Sequence, residues 1–164
     1  MSKVLDILKN AILLERKGFE FYIKVAKSTD NEGVKEIFET MAREEVLHEK
    51  YLSDQYKAFS ENGKFEEMDL PPEAEGLAAE IMNEDIIGSL EAAGFEAAAI
   101  SAAIDMENKA IKLYSDRAKE TEDPNEKDIY NWLAKWEKSH HKILHELNEE
   151  LKMKIWHDNY FWPF

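Results

Sequence analysis

A chain of 164 residues with 35 acidic against 21 basic side chains carries a net charge of −14, and it is long enough to bury a core as one domain. Without a basic run, that balance argues against nucleic acid and anionic membrane as partners and favours cations. The chain holds no cysteine, which excludes disulfides, thiolate zinc sites, iron–sulfur clusters and a thiol nucleophile.

Val4, Leu5, Leu8, Ala11, Ile12, Leu14, Phe19, Tyr22 and Ala26 recur at helical spacing and predict a helix over about residues 3–28. Its opening, VLDILKNAILLE, is interrupted by Asp6 and Lys9, unlike a signal-peptide core. STDNEG (28–33) is turn and N-cap chemistry. A second helix is expected through Val34, Ile37, Phe38, Met41, Ala42, Val46, Tyr51 and Leu52 to about residue 60, where Asn62-Gly63 stops it. Residues 63–75, with Pro71-Pro72 and several acids, read as an exposed connection, and 76–90 as a short helix.

A third long helix is expected over about 93–121. The apolar run AAGFEAAAISAAI (92–104) near its start is too short to span a bilayer and carries Glu96, so a soluble cytoplasmic protein is expected. TEDPN (121–125) is a cap with Pro124 in the first turn, and a fourth helix follows to about 155. The tail IWHDNYFWPF (155–164) holds five aromatics and is expected to dock against the bundle or, as the alternative, a partner subunit. No window alternates convincingly with period two. Two short turns and one long middle connection predict an all-α chain, an antiparallel four-helix bundle with a long crossover between helices two and three. Its hairpins would span about 3–60 and 93–155 within a single domain.

The second half repeats the first at an offset of 92 residues. AILLERKGFEFY (11–22) falls on AIDMENKAIKLY (103–114), and 15 of the 42 positions from 11 to 52 match their partners without a gap. Glu15 lands on Glu107, Tyr22 on Tyr114, Glu45 on Glu137 and His48 on His140, whereas Glu44 lands on Trp136. The recurring pair is therefore Glu-x-x-His, formed by Glu45 with His48 and by Glu137 with His140, and Glu44 reads as a bystander. Glu15 and Glu45 are equidistant from residue 30, and Glu107 and Glu137 from residue 122. Each carboxylate then lies roughly 22 Å along its helix at about 1.5 Å per residue, and each hairpin brings one Glu and one Glu-x-x-His to the same depth.

Four carboxylates and two imidazoles converging inside a bundle predict a dinuclear metal site. An unpaired buried carboxylate costs several kcal/mol, and divalent cations offset both that cost and the mutual repulsion. Mixed carboxylate and imidazole ligands suit iron or manganese, and zinc or cobalt can enter the same site. Paired redox metals exchange two electrons with dioxygen or peroxide, although two-metal sites also serve hydrolysis. His141 and His145 extend the fourth helix and read as an exposed face.

The doubled pattern A-I-x-x-E…Y with E-x-x-H, carried by Glu15, Tyr22, Glu45 and His48 and again by Glu107, Tyr114, Glu137 and His140, resembles the di-iron domain of rubrerythrin-like proteins, within the ferritin-like superfamily, over about residues 4–152. The resemblance implies that Glu45 and Glu137 bridge two iron ions per chain, with manganese or zinc as alternatives. Glu15 and His48 would complete one ion, and Glu107 and His140 the other. It implies that Tyr22 and Tyr114 hydrogen-bond the ligand shell. The activity it implies is that of an oxidoreductase of peroxidase or ferroxidase type, acting on peroxide or dioxygen, and the expected assembly is a homodimer. Iron storage, a structural helical protein and manganese catalase are the alternatives. Two departures stand out. Rubrerythrins proper carry a further helix-three glutamate near the site, but Ile104 and Ala110 flank Glu107 here. No rubredoxin module is possible without cysteine, so electrons would come from an external donor such as a rubredoxin-like protein.

Overall fold

In a computed structural model, which describes residues 3–72 and 94–158, helical spacing becomes four helices. They are α1 (Lys3–Ser28), α2 (Glu32–Asn62), α3 (Phe95–Glu120) and α4 (Pro124–Asp158). No strand occurs among the described residues, and no helix among them is long and apolar enough to cross a membrane. The short helix expected over 76–90 and the aromatic tail beyond residue 158 lie outside the described residues.

Local chemistry sets the helix ends. Asn31 caps α2, its Oδ1 accepting from the Val34 N–H at 3.0 Å. Gly63 closes the same helix at φ 70°, a left-handed conformation that glycine adopts freely, and its N–H donates to the Phe59 carbonyl. Asp123 Oδ1 accepts from the N–H groups of Asn125 and Glu126 at 2.9 and 3.3 Å. Between them Pro124 opens α4, where a missing N–H costs nothing.

α1 packs on α2 and α3 on α4 as two helical hairpins, which together form a ferritin-like four-helix bundle. The core falls into two apolar clusters at opposite ends. One gathers Tyr22, Val25, Val34, Ile37, Phe38, Ile100, Ala103, Leu144 and Leu147, and the other Leu8, Leu52, Tyr114, Ile129, Tyr130 and Leu133. In each helix the positions between the two clusters carry a buried glutamate, joined on α2 and α4 by a buried histidine.

The described start of the crossover is largely exposed, as expected, but it is anchored at three points. Phe65 is buried and packs on Phe59 with ring centroids 5.4 Å apart. Gln55 pins the next residue in both directions, donating to the Glu66 carbonyl at 2.7 Å and accepting from its N–H at 2.9 Å. The Trp132 indole N–H donates to the Pro71 carbonyl. The acidic composition of the segment concealed one apolar anchor and two backbone partners, which together tie it to α2 and α4.

Candidate metal centre

Glu15 on α1, Glu45 and His48 on α2, Glu107 on α3, and Glu137 and His140 on α4 meet between the two apolar clusters, none of them more than 3 % exposed. Helical geometry explains the grouping, since residues three apart share a face and each Glu-x-x-His turns both side chains inward. Glu15, Glu45, His48 and Glu137 offer ligand atoms within 4.8 Å of one another, and so do Glu45, Glu107, Glu137 and His140. Glu45 and Glu137 belong to both groups.

The two imidazoles present the same atom to the carboxylates. His48 Nδ1 lies 3.2 Å from Glu15 Oε2 and 3.0 Å from Glu137 Oε1. His140 Nδ1 lies 3.0 Å from Glu45 Oε1 and 3.4 Å from both Glu107 Oε1 and Glu137 Oε2. Despite that crowding, His140 Nδ1, Glu45 Oε1 and Glu107 Oε2 are buried without an aligned hydrogen-bond partner. A donor set of oxygens and imidazole nitrogens that point at one another without satisfying one another fits a pair of divalent ions.

Each tyrosine reaches the opposite hairpin. The Tyr22 hydroxyl donates to Glu107 Oε1 and the Tyr114 hydroxyl to Glu15 Oε1. Burial, and after it the Glu107 carboxylate, pushes the Tyr22 hydroxyl well above the usual phenol range. Burial and then Glu15 do the same for Tyr114, so both stay protonated donors. Glu45 and Glu107 are pushed well above the usual carboxylate range by burial and by the neighbouring Glu137. Burial also works against ionised Glu137, but the neighbouring Glu107, His140 and His48 outweigh it and hold that carboxyl well below. Metal-free, the centre thus keeps an ionised Glu137 between two imidazoles.

Glu44 is not a bystander. Its Oε2 accepts a hydrogen bond from His140 Nε2, the ring nitrogen that faces away from the carboxylate cluster. The repeat concealed this because position 44 corresponds to Trp136, and because Glu44 serves the histidine of the other hairpin rather than its own neighbour His48. An aligned pair that reads Glu in one half and Trp in the other was the signal that the halves differ. Trp136 stands against His48 with ring centroids 5.2 Å apart, and Trp132 against the same imidazole at 5.4 Å. His141 and His145 stack on each other at 6.2 Å and take no part in either group.

A cavity of about 190 Å³ reaches the carboxylates between α1 and α3. Its lining is symmetric under the 92-residue offset, pairing Leu14 with Met106, Lys17 with Lys109, Gly18 with Ala110, Glu15 with Glu107 and Glu45 with Glu137. Gly18 permits a close approach, since a Cβ there would stand 2.9 Å from Glu45 Oε2 and displace that carboxylate. Ala110 lines the same cavity three residues beyond Glu107.

No curated protein and no solved structure matches the chain. The rubrerythrin family model does, over residues 6–148, a span that takes in all four helix segments, both Glu-x-x-His pairs, the two upstream glutamates and both tyrosines. With that match laid over a four-helix bundle whose carboxylates and imidazoles meet at its centre, the chain belongs to the rubrerythrin family.

Proposed function

We propose that the protein is a non-haem di-iron oxidoreductase that reduces hydrogen peroxide with electrons from an external donor. The observation that carries this reading is the convergence of four buried carboxylates and two imidazole Nδ1 atoms, with all four carboxylates lining a small cavity. Glu45 and Glu137, shared by both groups, are the proposed bridging ligands. Glu15 with His48, and Glu107 with His140, complete the two halves. Iron held there supplies a two-electron couple suited to cleaving an O–O bond.

The chain's own residues meet the other needs of that reaction. The cavity has room for a peroxide-sized molecule beside the carboxylates. Exposed Lys17 and Lys109 line it and offset part of the acidic field near its rim. Tyr22 Oη and Tyr114 Oη hold protons within reach of Glu107 and Glu15. Reduction of one peroxide to two waters consumes two protons and two electrons. With no cysteine in the sequence to hold an iron–sulfur or rubredoxin-type centre, a rubredoxin-like protein or similar donor would supply the electrons.

A cavity floored by carboxylates on a chain of net charge −14 favours a second reading, in which aqueous Fe(II) enters as substrate and is oxidised. Anaerobic loading with Fe(II), followed by separate peroxide and air challenges monitored optically, discriminates between the two. Two iron ions per chain, oxidised far faster by peroxide than by air, support the peroxidase. Continued turnover of excess Fe(II) supports the ferroxidase. Oxygen release from peroxide by the protein loaded instead with Mn(II), without turnover of the iron form, would move the activity to catalase, and less than one redox metal per chain after loading would overturn the dinuclear centre.

A further inference from the structure

Both imidazoles turn Nδ1 toward the carboxylates, but the structure surrounds their other nitrogens with opposite chemistry. His140 Nε2 donates to the Glu44 carboxylate. His48 Nε2 is buried with no hydrogen-bond partner, and the Trp132 and Trp136 rings pack against the imidazole. Under the internal repeat, Trp132 and Trp136 occupy the positions of Thr40 and Glu44. Glu44 stands at one histidine, whereas the aromatic pair flanks the other. The contrast lies in the chain itself and does not depend on which ion is bound.

We propose that Glu44 is a positioning residue that makes the two halves of the centre unequal, with the His140 half binding its divalent ion more tightly. By accepting the Nε2 proton, Glu44 fixes the tautomer that leaves the Nδ1 lone pair free, locks the ring angle and raises the basicity of Nδ1. His48 gains no such partner. Its ring is held by packing alone, and removal of an Nε2 proton from bonding to water goes uncompensated. The first metal equivalent therefore enters the half formed by His140, Glu107 and the two shared carboxylates. This inference rests on the reading of the six residues as a dinuclear centre.

The test is an equilibrium titration of the metal-free full chain with Co(II) in competition with a chelator, followed by the cobalt absorption bands. Wild-type protein should fill in two steps separated by about tenfold or more. Glu44→Ala should weaken the tighter step by about 10- to 100-fold and leave the weaker step in place. Glu44→Gln, whose amide oxygen still accepts the Nε2 proton, should recover part of that loss, and it carries the test if the alanine variant does not fold. In Zn(II)-loaded protein, the ¹⁵N signal of a slowly exchanging His140 Nε2–H should be present in wild type and lost in Glu44→Ala, with the His48 signals unmoved. A purely structural role for Glu44 would lower the unfolding midpoint without moving that signal. Two indistinguishable steps in wild type, or unchanged affinities in both variants, would overturn the proposal while leaving the dinuclear centre intact. Uptake of less than one Co(II) per wild-type chain would overturn both.

Discussion

Tyr22 on α1 and Glu107 on α3 are joined by a buried hydrogen bond across the bundle, and the repeat-related Tyr114 returns it to Glu15. The exchange ties each upstream glutamate to the other hairpin. Tyr22→Phe keeps the ring packed on Phe38 at 5.6 Å but leaves Glu107 Oε1 without its donor. The metal-free protein should lose about 1 kcal/mol, read from its unfolding midpoint. Peroxide oxidation of the iron-loaded protein should slow by about tenfold, read by stopped-flow absorbance. An unchanged rate would remove the hydroxyl from the reaction.

Gly18 leaves room for a carboxylate rather than for a turn. A methyl group there would crowd Glu45 Oε2, the end of a side chain that can swing aside. Because alanine is the better helix former by about 1 kcal/mol, metal-free Gly18→Ala should unfold no earlier than wild type. Its metal affinity should nevertheless fall, since the displaced carboxylate is shared by both groups. Titration beside thermal unfolding checks both halves, and unchanged affinity would sink the placement of Glu45.

Substituting the two shared glutamates should have unequal effects on the metal-free fold. Glu45, pushed toward its neutral form by burial and Glu137, is mimicked by glutamine, so Glu45→Gln should be nearly neutral. Glu137 is held ionised despite its burial by Glu107 and both histidines. Glu137→Gln leaves the imidazoles without that partner and should cost roughly 3–5 kcal/mol, as for other broken buried pairs. Equal unfolding midpoints would contradict this assignment.

In the metal-free protein, burial disfavours the His48 imidazolium, but Glu15 and Glu137 outweigh it and hold its pKa up to about 9. An unfolded histidine titrates near 6.5. The raised value contributes stability that is complete below about pH 6.5 and is lost as pH rises through about 9. Glu45 and Glu107, with carboxyls also pushed up, act in the same direction. The metal-free unfolding midpoint should therefore fall across that window. Ion uptake near neutral pH should release protons, measurable by calorimetry in buffers of different ionisation enthalpy. Uptake without proton release would place the ions elsewhere.

Helix periods and turn residues act over a few neighbours, which is why the four helices and both tight turns were legible from Asn31, Gly63 and Pro124. The 92-residue repeat added what one helix cannot give. It singled out Glu15, Glu45, His48, Glu107, Glu137 and His140, and equal distance from the turns set their common depth. The connection predicted from 63 was less legible, because its apolar residues, Phe65, Met68 and Leu70, are too few to set a period.

By itself, then, the sequence determined the bundle and the six residues that meet inside it, because register along a helix is fixed by counting residues. Rotation of one hairpin against the other is not countable. It depends on how whole side chains interlock, and that packing alone decided that Tyr22 reaches Glu107 and Tyr114 reaches Glu15. The same packing turned Glu44 to His140 and left Trp136 facing His48. Two halves alike in their Glu-x-x-His pairs thus acquire different surroundings, since a helix presents neighbouring residues about 100° apart, and only the docked partner determines what each one meets.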